Sequence, residues 1–420
     1  MRQYAHLLKQ NRDIRLIWFS EITNLIGDWF SQVVLGALVI SLMPDHAGLA
    51  ISTLIVARFL PPLILSPQAG SLLDRFNRQR MLVWSNWLRA VIGLVHLLPL
   101  FDPSLVWLIY VGVVAQSTLA TVYPPGLSAL IASVVKPTEL VTANTLSNAT
   151  WSAALAAGGA LGGIVAAAFG SATALLIDAL SFVIAGALIA GVRGYVPTPP
   201  DPSVDAAQRR RDASVRDGLR YIRQHKPTLA TIFVKFGSSL GNVDTVMAVL
   251  ATQIFVMGVN GSLSLGIFYS AFGVGAVLGP LIANAIHDGS GRSLRRWIWF
   301  GFAIQAVGWL VIGQITGLLV VCIGIVMRAM GGSVNWTYSS VLLQRTTPDR
   351  YRGRVFSIDN MLYYVATVFA TLVHGTLIDT LGPHNMGWIG AGTAVVSMLP
   401  LLGWSYALRR WREPVAEGAG

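Results

Sequence analysis

The sequence predicts an all-α membrane protein of twelve transmembrane helices arranged as two six-helix bundles. Three observations predict it. Of 420 residues, 54% are apolar and only 12% charged, with a mean hydropathy of +0.61, whereas soluble domains carry about 25% charged residues. Twelve stretches stay mainly apolar over the roughly 20 residues that a helix needs to cross about 30 Å of hydrocarbon. Lysines and arginines fall in alternate loops. The 13 tryptophans and 42 glycines agree, since Trp gathers at membrane interfaces and Gly is frequent in spanning helices.

The elements follow in order. A polar, basic head, "MRQYAHLLKQNRDIR", precedes a first span at about 16–42. That span is far longer than the apolar core of a signal peptide, so no cleavable leader is expected. Spans 2 to 6 lie at about 49–73, 81–100, 105–132, 144–169 and 172–192. Spans 7 to 12 lie at about 228–257, 263–286, 296–314, 316–342, 355–379 and 386–408. The thinnest separations, at 169–172 and 314–316, carry Gly with Ser or Thr, which can turn the chain. Cys322, the single cysteine, sits in "LLVVCIGIVM" and is expected only to pack.

Charge placement orients the spans. One side holds Arg2, Lys9, Arg12 and Arg15; Arg75, Arg78 and Arg80; Lys136; the run Arg193–Lys226; Arg292, Arg295 and Arg296; Arg345–Arg354; and Arg409–Arg412. The loops of the other side, such as "MPDHAG", "GVNGS" and "LGPHN", hold neither Lys nor Arg. The positive-inside rule then puts both termini in the cytoplasm of a multi-pass protein of the inner (plasma) membrane. The net charge of +11, 30 minus 19, is thereby explained as topology and attraction to anionic membrane lipids, and no nucleic-acid partner is implied. The long loop 193–227 opens Pro-rich, turns basic and helix-capable, and is expected to lie along the inner membrane surface. It divides the chain into bundles 1–192 and 228–420.

The halves echo one another. "VVKPTELVTANTLSN" and "QRTTPDRYRGRVFSIDN" occupy matching places, with Pro137 and Pro348 211 residues apart (348 − 137) and Asn148 and Asn360 212 apart (360 − 148). Gly27 and Gly241 lie 214 apart (241 − 27). A duplicated six-span unit suggests a transporter with its substrate path at the repeat interface.

Between spans 2 and 3 stands "GSLLDRFNRQR". A Gly, three residues, Asp, Arg and a basic cluster in that loop resemble the signature of the major facilitator superfamily, and Gly70, Asp74, Arg75, Arg78 and Arg80 carry it. "GDW" at 27–29, "ARFLPPLILSPQAG" and "YPPGLSALI" with "ELVTANTLSN" are similar to the transmembrane secretion effector branch. That branch holds enterobactin-type siderophore exporters and macrolide-efflux relatives; a lysophospholipid-transporter branch is similar. The resemblance spans essentially the whole chain. It departs in two places: "WLIYVGVVAQSTLATVYPP" lacks the helix 4 arginine of many drug–proton antiporters and offers Gln116, and "GGALGGIV" lacks the proline of their helix 5 motif. The second copy of the Asp motif reads "GPLIANAIHDGSGR", with Asn284 near the Asp position. The resemblance implies that Asp74 caps the start of helix 11 as a gating latch, using the positive end of that helix.

Ionisable residues inside the hydrocarbon face cavities or one another. At about 1.5 Å per residue, Asp28, thirteen residues past Arg15, and Arg58, nine into span 2, both reach mid-membrane. They are expected to face each other, either as a proton- or substrate-sensitive pair or as a static ion pair. Asp244 and Arg328 form the second set. Lys235 is expected to snorkel, Glu21 to be shallow, Asp178 to lie nearer the outer face, Asp359 to serve a mirror latch and Arg89 to anchor span 3. His96 and His374 either titrate or make single hydrogen bonds. Asn24, Gln116, Tyr123, Asn144, Asn148, Asn335, Trp336 and Tyr338 are the candidate substrate-binding residues, in central helices that line the cavity of the fold the resemblance implies.

The functional expectation is a secondary exporter of amphipathic small molecules, drug or siderophore, working by alternating access and coupled to protons. The alternative is a lysophospholipid transporter or flippase, with Arg58 and Arg328 as phosphate ligands. The chain has no HExxH or Walker loop and no clustered metal ligands, so neither enzyme activity nor a cofactor is expected. The chain is expected to work as a monomer.

Overall fold

The computed structural model describes residues 2–194, 215–286 and 288–410. Those residues fold into helices and turns, with no strand among them. Nine helical stretches among them are long and apolar enough to cross a membrane. The protein is a multi-pass, all-α membrane protein, though length and apolarity alone do not reach the expected count of twelve. Three local features account for the difference.

The helices are α1 (Arg2–Gln10), α2 (Arg12–Leu42), α3 (Ala47–Arg75), α4 (Arg78–Val95), α5 (Trp107–Ala120), α6 (Tyr123–Val134) and α7 (Leu140–Ala190). After the linker come α8 (Val215–Gln224), α9 (Lys226–Leu240), α10 (Asp244–Val249), α11 (Ser262–Ile286), α12 (Gly291–Ile312), α13 (Leu318–Thr346), α14 (Asp349–Leu381) and α15 (Met386–Arg410). The predicted spans 5 and 6 are the two limbs of α7, which breaks at Gly170. Its φ of +83° is open to glycine and strained for other residues. Span 7 is split into α9 and α10 at residues 241–243, and a single π-helical turn, Leu250–Ile254, follows α10. Predicted span 9 falls largely on α12, which is not among the nine and begins with the polar "GRSLRR". Predicted span 4 is also interrupted: α5 ends at Ala120 and α6 starts at Tyr123, because Pro124 and Pro125 supply no backbone N–H to bond back.

The chain groups into two compact units. The first takes residues 1–200, 244–273 and 371–384. Its largest interface joins α2 to α7, and its core includes Ile14, Ile17, Leu82, Leu130 and Ile189. Asn11 caps α2 by accepting from the N–H groups of Asp13 (3.0 Å) and Ile14 (3.1 Å), and Asn77 caps α4 through the N–H of Arg80 at 3.0 Å. Small residues let helices close up: a Cβ on Gly266 would lie 2.6 Å from the Gly159 carbonyl oxygen and 3.0 Å from the Gly163 Cα, the close approach expected of glycine-lined membrane helices.

The second unit takes residues 201–243, 274–370 and 385–420. Ile298, Phe302, Val334, Tyr338 and Trp404 belong to its core. The linker helix α8 packs into this unit. Tyr221 and Ile222 are buried against Leu343, Val355 and Ile358, and the Tyr221 ring stacks on Tyr351 at 4.5 Å. The α8 helix therefore has a protein partner of its own beneath its apolar face. The rest of the linker, 195–214, and the tail after 410 lie outside the described residues.

Candidate functional site

Polar side chains gather inside the first unit. On α2, Ser20, Asn24 and Asp28 recur every four residues and so share a face. On α4, Asn86 and Arg89 are three apart and share another. These faces meet. Arg89 Nη2 donates to Asp28 Oδ1 at 2.5 Å, and Nη1 donates to Asn24 Oδ1 at 3.3 Å. Asn24 passes the chain on, donating to Asn86 Oδ1 at 2.6 Å. Gln116 of α5 donates to the Arg89 carbonyl at 2.9 Å, and the Arg89 guanidinium lies 4.0 Å over the ring of Phe182.

This corrects the expected pairing. Asp28 is bound by Arg89, while Arg58 is half-buried and forms no salt bridge among the described residues. Depth alone put Arg58 level with Asp28, but the lateral packing of α4 decides the partner. Nor does Arg89 merely anchor its helix. The burial of the pair is uneven: the Arg89 side chain is 4% exposed and that of Asp28 37%. A buried, permanently charged guanidinium thus holds a partly exposed acid. Glu21 is buried and accepts from the Ser147 hydroxyl at 2.7 Å. Asp178 is wholly buried.

The second unit has an ion pair of its own. Lys235 Nζ donates to Asp359 Oδ2 at 2.6 Å, with side-chain exposures of 2% and 0%. Lys235 therefore does not snorkel, and Asp359 is taken as its counter-ion rather than as a mirror latch. The ammonium lies 4.3 Å over the Trp336 ring, a cation–π contact that adds to the pair. Arg328 serves the break between α9 and α10. Its Nε and Nη2 donate to the Gly241 carbonyl at 3.0 and 2.9 Å, and Trp309 Nε1 joins them at 3.2 Å. A carbonyl freed where a helix stops inside the membrane must find such donors. Asp244, half-buried, opens α10 in the first unit.

The chain matches one family model, described as Major Facilitator Superfamily, over residues 17–294 and 289–419. The chain belongs to the Major Facilitator Superfamily. It is accordingly a transporter, not an enzyme, and its family relatives include efflux pumps. It is 24% identical to Macrolide efflux protein A of Streptococcus pyogenes over 90% of this chain and 92% of that protein. It is 25% identical to Multidrug efflux pump Tap of Mycolicibacterium fortuitum over 88% of this chain and 90% of that protein. The putative bacilysin exporter BacE of Bacillus subtilis is 22% identical, over 82% of this chain and 83% of that one. Among solved structures, the fold is similar to the nucleoside transporter NupG, with a TM-score of 0.75 at 9% identity over 94% of this chain and 99% of that one. An auto-inhibited POT family peptide transporter is similar with a TM-score of 0.74 at 14% identity, covering 97% of this chain and 99% of that one.

Within this superfamily fold the remaining candidates separate by exposure. Asn24, Gln116, Tyr123, Asn335 and Tyr338 are all buried. Asn335 donates to the Ser238 hydroxyl at 3.0 Å and Tyr338 to Asn284 Oδ1 at 2.8 Å, so they brace helices against each other. Asn144 and Trp336 are exposed. The side chains of Asn148 and of the motif residues Gly70, Asp74 and Arg75 lie outside the described residues, while Arg78 is half-buried and Arg80 exposed at the start of α4. Sequence reasoning missed Asn86, Arg89, Lys235 and Asp359 as site residues. The three-residue spacing of Asn86 and Arg89 was the available signal for the first two.

Proposed function

We propose that the protein is a proton-coupled secondary exporter of an amphipathic small molecule, working by alternating access in the inner (plasma) membrane with both termini cytoplasmic. The observation that carries this reading is the Asp28–Arg89 pair, a partly exposed acid in the middle of a spanning helix held by a buried arginine. A proton arriving at Asp28 neutralises it and frees Arg89. A cationic or hydrogen-bond-donating cargo group needs the same Asp28 carboxylate, so proton and cargo compete for one acid. Efflux among the relatives favours outward transport. Trp336, exposed and backed by the Lys235 ammonium, is the candidate stacking surface for the cargo. The six-plus-six bundles provide the two rocking halves, and the stretch 70–80 is the candidate cytoplasmic latch.

The test uses purified protein in liposomes under an imposed pH gradient, with a macrolide, a siderophore, a cationic dye and a lysophospholipid as cargo. Proton release with one of the first three, absent in D28N, is expected. Movement of lysophospholipid without proton flux would overturn the reading.

A further inference from the structure

Asp178, in the second limb of α7, has no place in that scheme, and its surroundings are unusual. It is fully buried, and neither carboxyl oxygen has a hydrogen-bond partner. The Ser181 hydroxyl beside it donates to the Asp178 backbone carbonyl at 2.7 Å rather than to the carboxyl. An unpartnered carboxylate in a dry interior is among the costliest groups a protein can hold. Yet the packing brings it close to the site. A Cβ on Gly27 would stand 2.8 Å from Asp178 Oδ1, so the bare backbone beside Asp28 is what admits this carboxyl.

The charged groups facing Asp178 are Asp28 from α2, Arg89 from α4 and, less strongly, Arg58 from α3. Glu21, the other acid of this face of α2, is occupied by Ser147. Arg89 is the mobile candidate. Its two terminal nitrogens serve Asp28 and Asn24, but its Nε is buried without a partner. Its guanidinium rests on Phe182, which is four residues along from Asp178 and hence on the same helical face.

We propose that Arg89 has two alternative carboxylate partners, Asp28 and Asp178, and that one proton is shared between the two acids in counter-phase with it. In the conformation described, Arg89 pairs with the Asp28 carboxylate and Asp178 carries the proton. In the other, Asp28 carries the proton and Arg89 pairs with the Asp178 carboxylate. One O–H bond breaks at Asp178 and one forms at Asp28; the net charge of the three residues is the same before and after. The exchange gives Asp28 a neutral state without leaving Arg89 unpaired in the membrane interior. It deepens the proton-coupled reading and rests on it for its purpose, but it is measurable without cargo.

Infrared spectra of the purified protein in lipid nanodiscs, with aspartate carboxyls isotopically labelled, report protonated aspartates. The wild type is expected to show a protonated-aspartate band that D178N removes. D28N, which imitates the protonated acid, is expected to remove it too, because Arg89 then turns to Asp178. If D178N does not fold, D178E takes its place, since a glutamate falls outside the label. Persistence of the band in D28N, or in the Asp178 variant, would overturn the exchange. Failure of every cargo to move protons in liposomes would instead overturn the export reading and leave the exchange intact.

Discussion

Asp379 of α14 accepts both of the backbone N–H groups that open α3, from Gly48 at 2.7 Å and Leu49 at 2.9 Å. The position before α3, His46, provides no side-chain cap. A carboxylate from a distant helix therefore does the work of an N-cap and meets the positive end of the dipole. Gly375, one turn earlier on α14, leaves room for it, since a Cβ there would lie 2.5 Å from the Gly48 carbonyl oxygen. Replacing Asp379 with Ala is expected to cost about 1 kcal/mol, the usual loss of a cap, and D379N less. Thermal unfolding in detergent, followed by the helical signal, checks the order wild type, D379N, D379A.

The Lys235–Asp359 pair predicts a non-additive pattern. Either K235M or D359N alone strands one charge in the core and is expected to cost about 3–5 kcal/mol, while the double variant K235M/D359L recovers most of the loss. Denaturant unfolding of the three proteins measures it. A double variant no better than the singles would show that the ion pair is not what stabilises this contact.

Arg328 predicts a local effect. R328A removes the charged donors from the Gly241 carbonyl, each such bond contributing about 1.5–3 kcal/mol. Amide hydrogen exchange is expected to rise at residues 238–246 and to remain near wild type in α2 and α4. R328K, with a single ammonium in place of the guanidinium fork, is expected to fall between the two.

Two glycines predict opposite outcomes. At Gly266 an added methyl meets the Gly159 backbone, so G266A is expected to cost about 1–3 kcal/mol as overpacking. Gly392 has nothing within 4 Å of the added atom, so G392A in α15 is expected to be neutral or to gain up to about 1 kcal/mol. Melting temperatures of the two variants, measured side by side, check this.

In the loop before α12, Asp288 accepts from the Ser290 N–H at 2.9 Å. The Ser290 hydroxyl and this N–H hold its carboxyl below the ordinary aspartate value. A depressed folded value means that the contribution is present above the unfolded value and is lost as pH falls through the folded one. The difference in melting temperature between wild type and D288N is thus expected to be small, positive at neutral pH and closed in acid. A difference that grows in acid would contradict the assignment.

Much of this was legible in the chain itself. The apolar runs and the arginines between them gave the membrane-protein class and the family motif, because hydropathy and charge are properties of a segment read alone. The same local reading made Asp28 a candidate from its place along the first span. It failed at Lys235, assigned to snorkelling from its depth near a helix end, because depth does not say whether a neighbouring helix brings an acid. It also passed over the breaks at 121–122 and 241–243. The first had a signal in "YPPG"; at the second, "GNVD" is equally compatible with a continuous apolar span until the donors of Arg328 and Trp309 are in place.

By itself the sequence determined the all-α membrane class, the greasy and charged stretches and the superfamily. Only the tertiary structure decided the partners: Arg89 rather than Arg58 for Asp28, Asp359 for Lys235, Asp379 for the start of α3 and the Gly241 carbonyl for Arg328. The physical reason is that helix formation and membrane partition depend on neighbours along the chain. An ion pair depends on which faces of which helices come together, and a side chain can find its partner far along the chain, as the Asp379 carboxylate finds the Gly48 N–H 331 residues away.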